Sequence, residues 1–180
     1  MKKNIFFFLS GIIAGMYLMY GIIQHNFYSI IRAVAVIYPT QGNKATGTVI
    51  FQKQANGTQI QAQLQGLSPG KHGFHIHEFG DCSCADALCT KGHFNPTQQP
   101  HGGLTSEKRH VGDLGNIIAD KQGNATINIV DPLIMLNGPQ SIIGRSVIVH
   151  ADEDDLVSQP SGNAGARIGC GVIGIAAGKK

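Results

Sequence analysis

The sequence has no tryptophan, and only 14% of its 180 residues are charged. The formal net charge is +3, and the charges are scattered. This excludes the clustered basic face that nucleic-acid binding requires. After residue 31 no stretch carries a convincing helical period, so a helical domain is excluded. No internal repeat and no low-complexity linker breaks the chain, which excludes a repeat array.

What is present divides in two. Met1-Lys2-Lys3 is basic, and Ile5 to Ile23 then runs for 19 residues without a charge. About 20 apolar residues cross a bilayer, whereas the core of a cleaved signal is shorter, about 7–15 residues. The nearest small-x-small site, Ala33-Val34-Ala35, lies inside the first expected strand. Residues 1–31 therefore read as a signal-anchor in preference to a cleaved signal peptide. Lys2 and Lys3 place the N-terminus in the cytoplasm and export the remainder. Residues 32–180 read as one domain, with 42% apolar residues in the chain to build a core.

That domain reads as strands. Gln59–Gln65 alternates, with Ile60, Ala62 and Leu64 on one face and glutamines on the other, as a half-buried antiparallel strand does. Similar runs occupy 33–38, 44–52, 73–78, 115–119, 124–130, 145–150 and 167–176. Asp120-Lys121-Gln122-Gly123 has the composition of a hairpin turn. Two long segments, 79–111 and 151–166, fit neither helix nor strand. Loops of that length in a compact domain usually carry function. The expectation is an all-β sandwich or barrel with long loops bearing a site.

Seven of the eight histidines fall in this domain. In HGFHIHEFGD (72–81), His75 and His77 are two apart, so a strand projects them together while Phe74 and Ile76 face the core. His93, His101, His110, Asp113 and His150 are further candidate ligands. Imidazole suits zinc and copper, and a carboxylate is compatible with zinc. A metal site follows from the residues, without the identity of the metal.

HGFHIHEFGD, GHFNP, HGG, RHVGDLGN, IIGR, VIVHADEDD and GNAGARIGCGVIGIA, taken in order over roughly residues 33–177, resemble the copper/zinc superoxide dismutases. The resemblance implies an eight-stranded antiparallel Greek-key barrel with two active-site loops. It implies copper on His75, His77, His93 and His150, and zinc on His93, His101, His110 and Asp113, with His93 bridging. Asp154 matches the carboxylate that links a copper histidine to a zinc histidine. His72 matches a position that supports the active-site backbone, and Arg167 matches the arginine beside copper, which attracts and orients the superoxide anion. The implied reaction is disproportionation of superoxide to oxygen and hydrogen peroxide, with His93 transferring a proton. A homodimer is left open by the resemblance.

Four cysteines allow three complete pairings, and spacing does not choose among them. The resemblance implies Cys82–Cys170, with Cys82 selected by likeness to bacterial members. Cys84 and Cys89 are extra; they pair with each other, stay reduced or contact copper during loading. The loop DLVSQPSG (155–162) is shorter than in eukaryotic members and lacks their steering charges. This suggests a bacterial exported enzyme, periplasmic or in the envelope and anchored to the inner membrane. A copper chaperone is disfavoured by the intact His150, and a metal buffer by Arg167.

Overall fold

The computed structural model describes residues 29–177. The expected N-terminal hydrophobic helix over Ile5–Ile23, and His25, lie outside the described residues. Eight strands follow in chain order: β1 (Arg32–Pro39), β2 (Thr46–Gln54), β3 (Gly57–Gln65), β4 (Gly70–His77), β5 (Asp113–Ala119), β6 (Ala125–Asp131), β7 (Ser146–His150) and β8 (Arg167–Ile175). They close into a barrel in the order β1-β2-β3-β6-β5-β4-β7-β8, and every pairing is antiparallel. The chain passes from β3 to β4 across β6 and β5, and from β6 to β7 across β5 and β4; these are the Greek-key crossovers.

Alternation builds the barrel interior. In β3, Thr58, Ile60, Ala62 and Leu64 are buried while Gln61, Gln63 and Gln65 are exposed. Ile60 is opposite Phe51 of β2 and Ile129 of β6. Phe51, Phe74 and Phe94 are the largest fully buried side chains, and burying such a ring stabilises by about 1.5–3 kcal/mol.

The alternation disappears where the loops lie. All five residues of β7 are buried, as are the last six of β4. One face of these strands meets the interior and the other meets the long loops. Ile148 of β7 packs outward with Cys170, Ala87 and Cys82, which belong to β8 and the loop after β4. Double burial is why VIVH reads as a continuous apolar run.

β4 begins at Gly70, three residues before the expected start. Gly70, Lys71 and His72 pair with Ala119, Ile118 and Ile117 of β5. Gly-Lys-His carries no apolar alternation to announce a strand. The ladder then shifts register between Gly73 and His75, so that His75 pairs with Asp113. A bulge of this kind re-aims side chains; here it sets a candidate copper ligand beside a candidate zinc ligand.

Candidate metal centre

Two groups of buried donors stand side by side. His75, His77, His93 and His150 form one; His93, His101, His110 and Asp113 form the other. Within each group the donor atoms all lie within 4.8 Å of one another. His75 and His77 come from β4, His150 from the end of β7 and Asp113 from the start of β5. His93, His101 and His110 come from the long loop, which is fastened by a bridge pairing His77 with His93. Phe94 N donates to Ile76 O at 2.8 Å, and Gly112 N donates to Phe94 O at 2.9 Å.

Hydrogen bonds fix which nitrogen of each ring keeps a lone pair. His77 Nδ1 donates to Lys91 O at 2.7 Å, and His150 Nδ1 donates to Gly165 O at 3.2 Å. Their Nε2 atoms are left facing each other at 3.3 Å. His75 Nε2 donates to Asp154 Oδ2 at 2.7 Å, and His101 Nε2 to Asp154 Oδ1 at 2.9 Å. Buried and without a hydrogen-bond partner are His75 Nδ1, His93 Nε2 and His101 Nδ1. Buried polar atoms are ordinarily satisfied. Unpaired nitrogens within the two adjoining donor groups therefore fit cations. The first group offers only imidazole nitrogens, a donor set that suits copper. The second adds a carboxylate oxygen, with His93, His101 and His110 Nδ1 at 2.8, 3.0 and 3.1 Å from Asp113 Oδ1, a set that suits zinc.

Burial shapes the electrostatics. Desolvation lowers His75, pushes His77 well below its usual value, and brings His93 down to about 4 and His150 to about 3. These rings stay neutral, as metal ligation requires. His101 is also opposed by burial, but the carboxylates of Asp113 and Asp154 on either side of its ring raise it to about 9. Both carboxyls are buried, which would raise them, yet the histidines around them hold each well below the usual carboxylate range.

The other expected residues are gathered here too. His72 places Nδ1 at 2.8 Å from His150 O and Nε2 at 2.8 Å from Ser68 O, behind the first donor group. Arg167 lines a cavity of about 490 Å³ together with His77, His93 and His150. Its Nη1 donates to Ala87 O and to Thr90 Oγ1, and its Nη2 donates to Lys91 O at 2.6 Å. Cys82 and Cys170 are joined, and so are Cys84 and Cys89.

Several supporting residues escaped the sequence reading. Asn116 clasps the Asp154 backbone through bonds to its N and O, both 2.8 Å. Gln159 clasps His101 N and O in the same way, at 2.8 and 2.9 Å. Arg109, itself buried, donates to His110 O and Asp113 O and is paired with Asp131 at 2.6 Å. Gly162 has φ +67, and a Cβ there would meet Asp154 Oδ1 and His101 Nε2. Asn116 and Gly162 lie inside the quoted motifs, but amide and glycine carry no signal for what they hold. Lys91 contributes only its carbonyl, which no sequence pattern marks.

Residues 45–173 match the family model for copper/zinc superoxide dismutase. An extracellular superoxide dismutase [Cu-Zn] of Brugia pahangi is 47% identical over 154 residues, covering 81% of this chain and 76% of that one. The crystal structure of the clock protein EA4 is similar, with a TM-score of 0.77 and 42% identity, covering 84% of this chain and 99% of that one. A family match over most of the domain, a relative near half identity and two adjoining donor groups agree: the chain belongs to the copper/zinc superoxide dismutases, an enzyme family whose cofactors are copper and zinc.

Proposed function

We propose that His75, His77, His93 and His150 hold copper, that His93, His101, His110 and Asp113 hold zinc, and that the centre disproportionates superoxide to oxygen and hydrogen peroxide. The observation that carries this reading is the set of buried lone pairs at His75 Nδ1 and His93 Nε2, with the Nε2 atoms of His77 and His150 facing each other. Copper, when bound, supplies the one-electron oxidation and reduction the reaction needs, and zinc supplies a fixed charge without redox change. His93 presents Nε2 to one donor group and Nδ1 to the other, so a single imidazole bridges both. Its Nε2, whose lone pair faces the first donor group, is the atom that would take up a proton and pass it to the peroxide product. Arg167 attracts the anion into the cavity and orients it, with a guanidinium already fixed by three acceptors. Asp154 keeps His75 and His101 in the tautomers that ligation requires, and His72 props the backbone of His150.

The test is metal analysis with a dismutation assay on the protein and on His150→Ala. The variant is expected to lose copper and activity while keeping zinc. Full activity in His150→Ala, or a fully copper-loaded wild type without activity, overturns the assignment.

Export agrees with both the two disulfides and the extracellular nematode relative. It would protect whatever compartment lies beyond the membrane. The bacterial type, a periplasmic site and an inner-membrane anchor over residues 1–31 rest on Lys2, Lys3, the apolar run and the short 155–162 loop alone. Mass spectrometry of the mature N-terminus distinguishes an anchor from a cleaved leader. A homodimer is tested by sedimentation.

A further inference from the structure

All three groups that hold the Arg167 guanidinium lie within five residues of one turn. They are Ala87 O, Thr90 Oγ1 and Lys91 O. Lys91 O also receives His77 Nδ1, so one carbonyl positions both the arginine and a candidate copper ligand. The turn belongs to no strand. Ala87 has φ +57, its N donates to Cys84 O, and its O accepts from both the N and the Oγ1 of Thr90. Lys91 N donates to Leu88 O, and Leu88 N donates to Asp86 Oδ1. The Cys84–Cys89 disulfide closes a ring that contains Ala87, and Thr90 and Lys91 follow directly after it, tied back to the ring by the bonds to Ala87 O and Leu88 O. The longer bridge, Cys82–Cys170, fixes the start of the loop to β8 and leaves the turn itself unspanned.

A disulfide that closes so few residues removes less entropy from the unfolded chain than the long Cys82–Cys170 bridge does, because that gain grows with loop length. Its effect is local. We propose that the Cys84–Cys89 disulfide is a positioning element for Arg167, holding the 87–91 acceptors in register so that the guanidinium keeps one orientation at the cavity for a small anion. The proposal rests on the reading of Arg167 as the anion-orienting group. Cys84 and Cys89 touch neither substrate nor metal; they act through the backbone of the turn.

The test uses the metal-loaded full chain carrying Cys84→Ser and Cys89→Ser together, with Cys82–Cys170 untouched. Azide, a small anion that binds copper, serves as the probe. Copper and zinc contents are expected to stay at wild-type level, while azide affinity falls by about tenfold, the scale on which a small misplacement of an orienting group is felt. In the metal-free protein the Arg167 side-chain N–H resonances are expected to be sharp in the wild type and to broaden or average in the variant. Unchanged azide affinity together with unchanged Arg167 resonances overturns the proposal. If the double variant fails to fold, insertion of one glycine after Ala85, with the bridge intact, widens the ring and must weaken azide in the same way; no weakening there overturns it too. Arg167→Ala separates the two levels. If it leaves azide affinity unchanged, the reading of Arg167 fails. If it weakens azide and the cysteine variant does not, only the positioning role of the disulfide fails.

Discussion

His77 and His150 point their Nε2 atoms at each other across 3.3 Å, and each has already committed its Nδ1 hydrogen to a backbone carbonyl. Neither ring can turn to offer the other a hydrogen without giving up that bond. Two lone pairs held face to face repel, and a cation between them removes the repulsion.

Metal removal follows from that geometry. A ligand at about a thousand times its dissociation constant stabilises the state it binds by about 4 kcal/mol. Stripping both metals is expected to lower the thermal midpoint and to speed amide exchange in segments 79–111 and 151–166, which carry or support the donors. The strands β1, β2 and β3, remote from the donors, are expected to keep their protection. Uniform loss of protection across the barrel would count against this.

Asp154 accepts from both His75 and His101, one oxygen for each. An amide has only one acceptor oxygen and presents an NH2 to the other ring. Asp154→Asn is expected to weaken copper or zinc binding by about 10–100-fold, as loss of such supporting bonds does elsewhere. Competition against a chelator measures it. Affinities equal to wild type would show that the loops, and not Asp154, orient these rings.

Lys91 sits at φ 60, ψ −147, a region that side chains avoid at a cost of about 1–3 kcal/mol. Its carbonyl serves Arg167 and His77, so the strain is tied to the site. Lys91→Gly relieves it, offset by about 0.5–1 kcal/mol of added freedom in the unfolded chain. The expected result is a higher urea midpoint with unchanged slope and unchanged metal content. A lower midpoint would contradict it.

The metal-free protein is expected to be most stable near neutrality. Burial holds His93 at about 4 and His150 at about 3, so between the ordinary value of 6.5 and those values the unfolded chain binds more protons than the folded one. Stability then falls as pH falls through that window, by about 1.4 kcal/mol per unit for each fully responding site. His101 works in the opposite sense. Although burial lowers it, Asp113 and Asp154 raise it to about 9, so its contribution is complete below 6.5 and is lost as pH rises to about 9. Urea midpoints of the metal-free protein, taken from about pH 4 to about pH 9, check both limbs. A midpoint that rises steadily toward acid would contradict the first.

Strands with one wet face were readable residue by residue: the glutamines of β3 alternate with Ile60, Ala62 and Leu64, and the expected strand covers nearly all of Gly57–Gln65. The first residues of β4 were not, because Gly70 and Lys71 are exposed and carry no alternation. At the centre, the i, i+2 spacing of His75 and His77 and the seven motifs located every donor that the structure gathers. The groups that hold those donors were not legible. Asn116 grips Asp154, Gln159 grips His101, and the Lys91 carbonyl grips both Arg167 and His77. Each acts through a backbone atom or a neutral amide, and neither has a characteristic spacing. The bridge between Cys84 and Cys89 was one of three fates left open, and proximity in the fold decides it.

The barrel is completed by β1 pairing with β8, the first strand with the last of the eight. Until residues 167–175 have left the ribosome, β1 and β7 each lack a neighbour, Cys82 lacks its partner at Cys170, and Arg167 does not exist to meet its turn. The barrel therefore cannot close, nor can the arginine side of the site be completed, until β8 is available to pair with both of its neighbours.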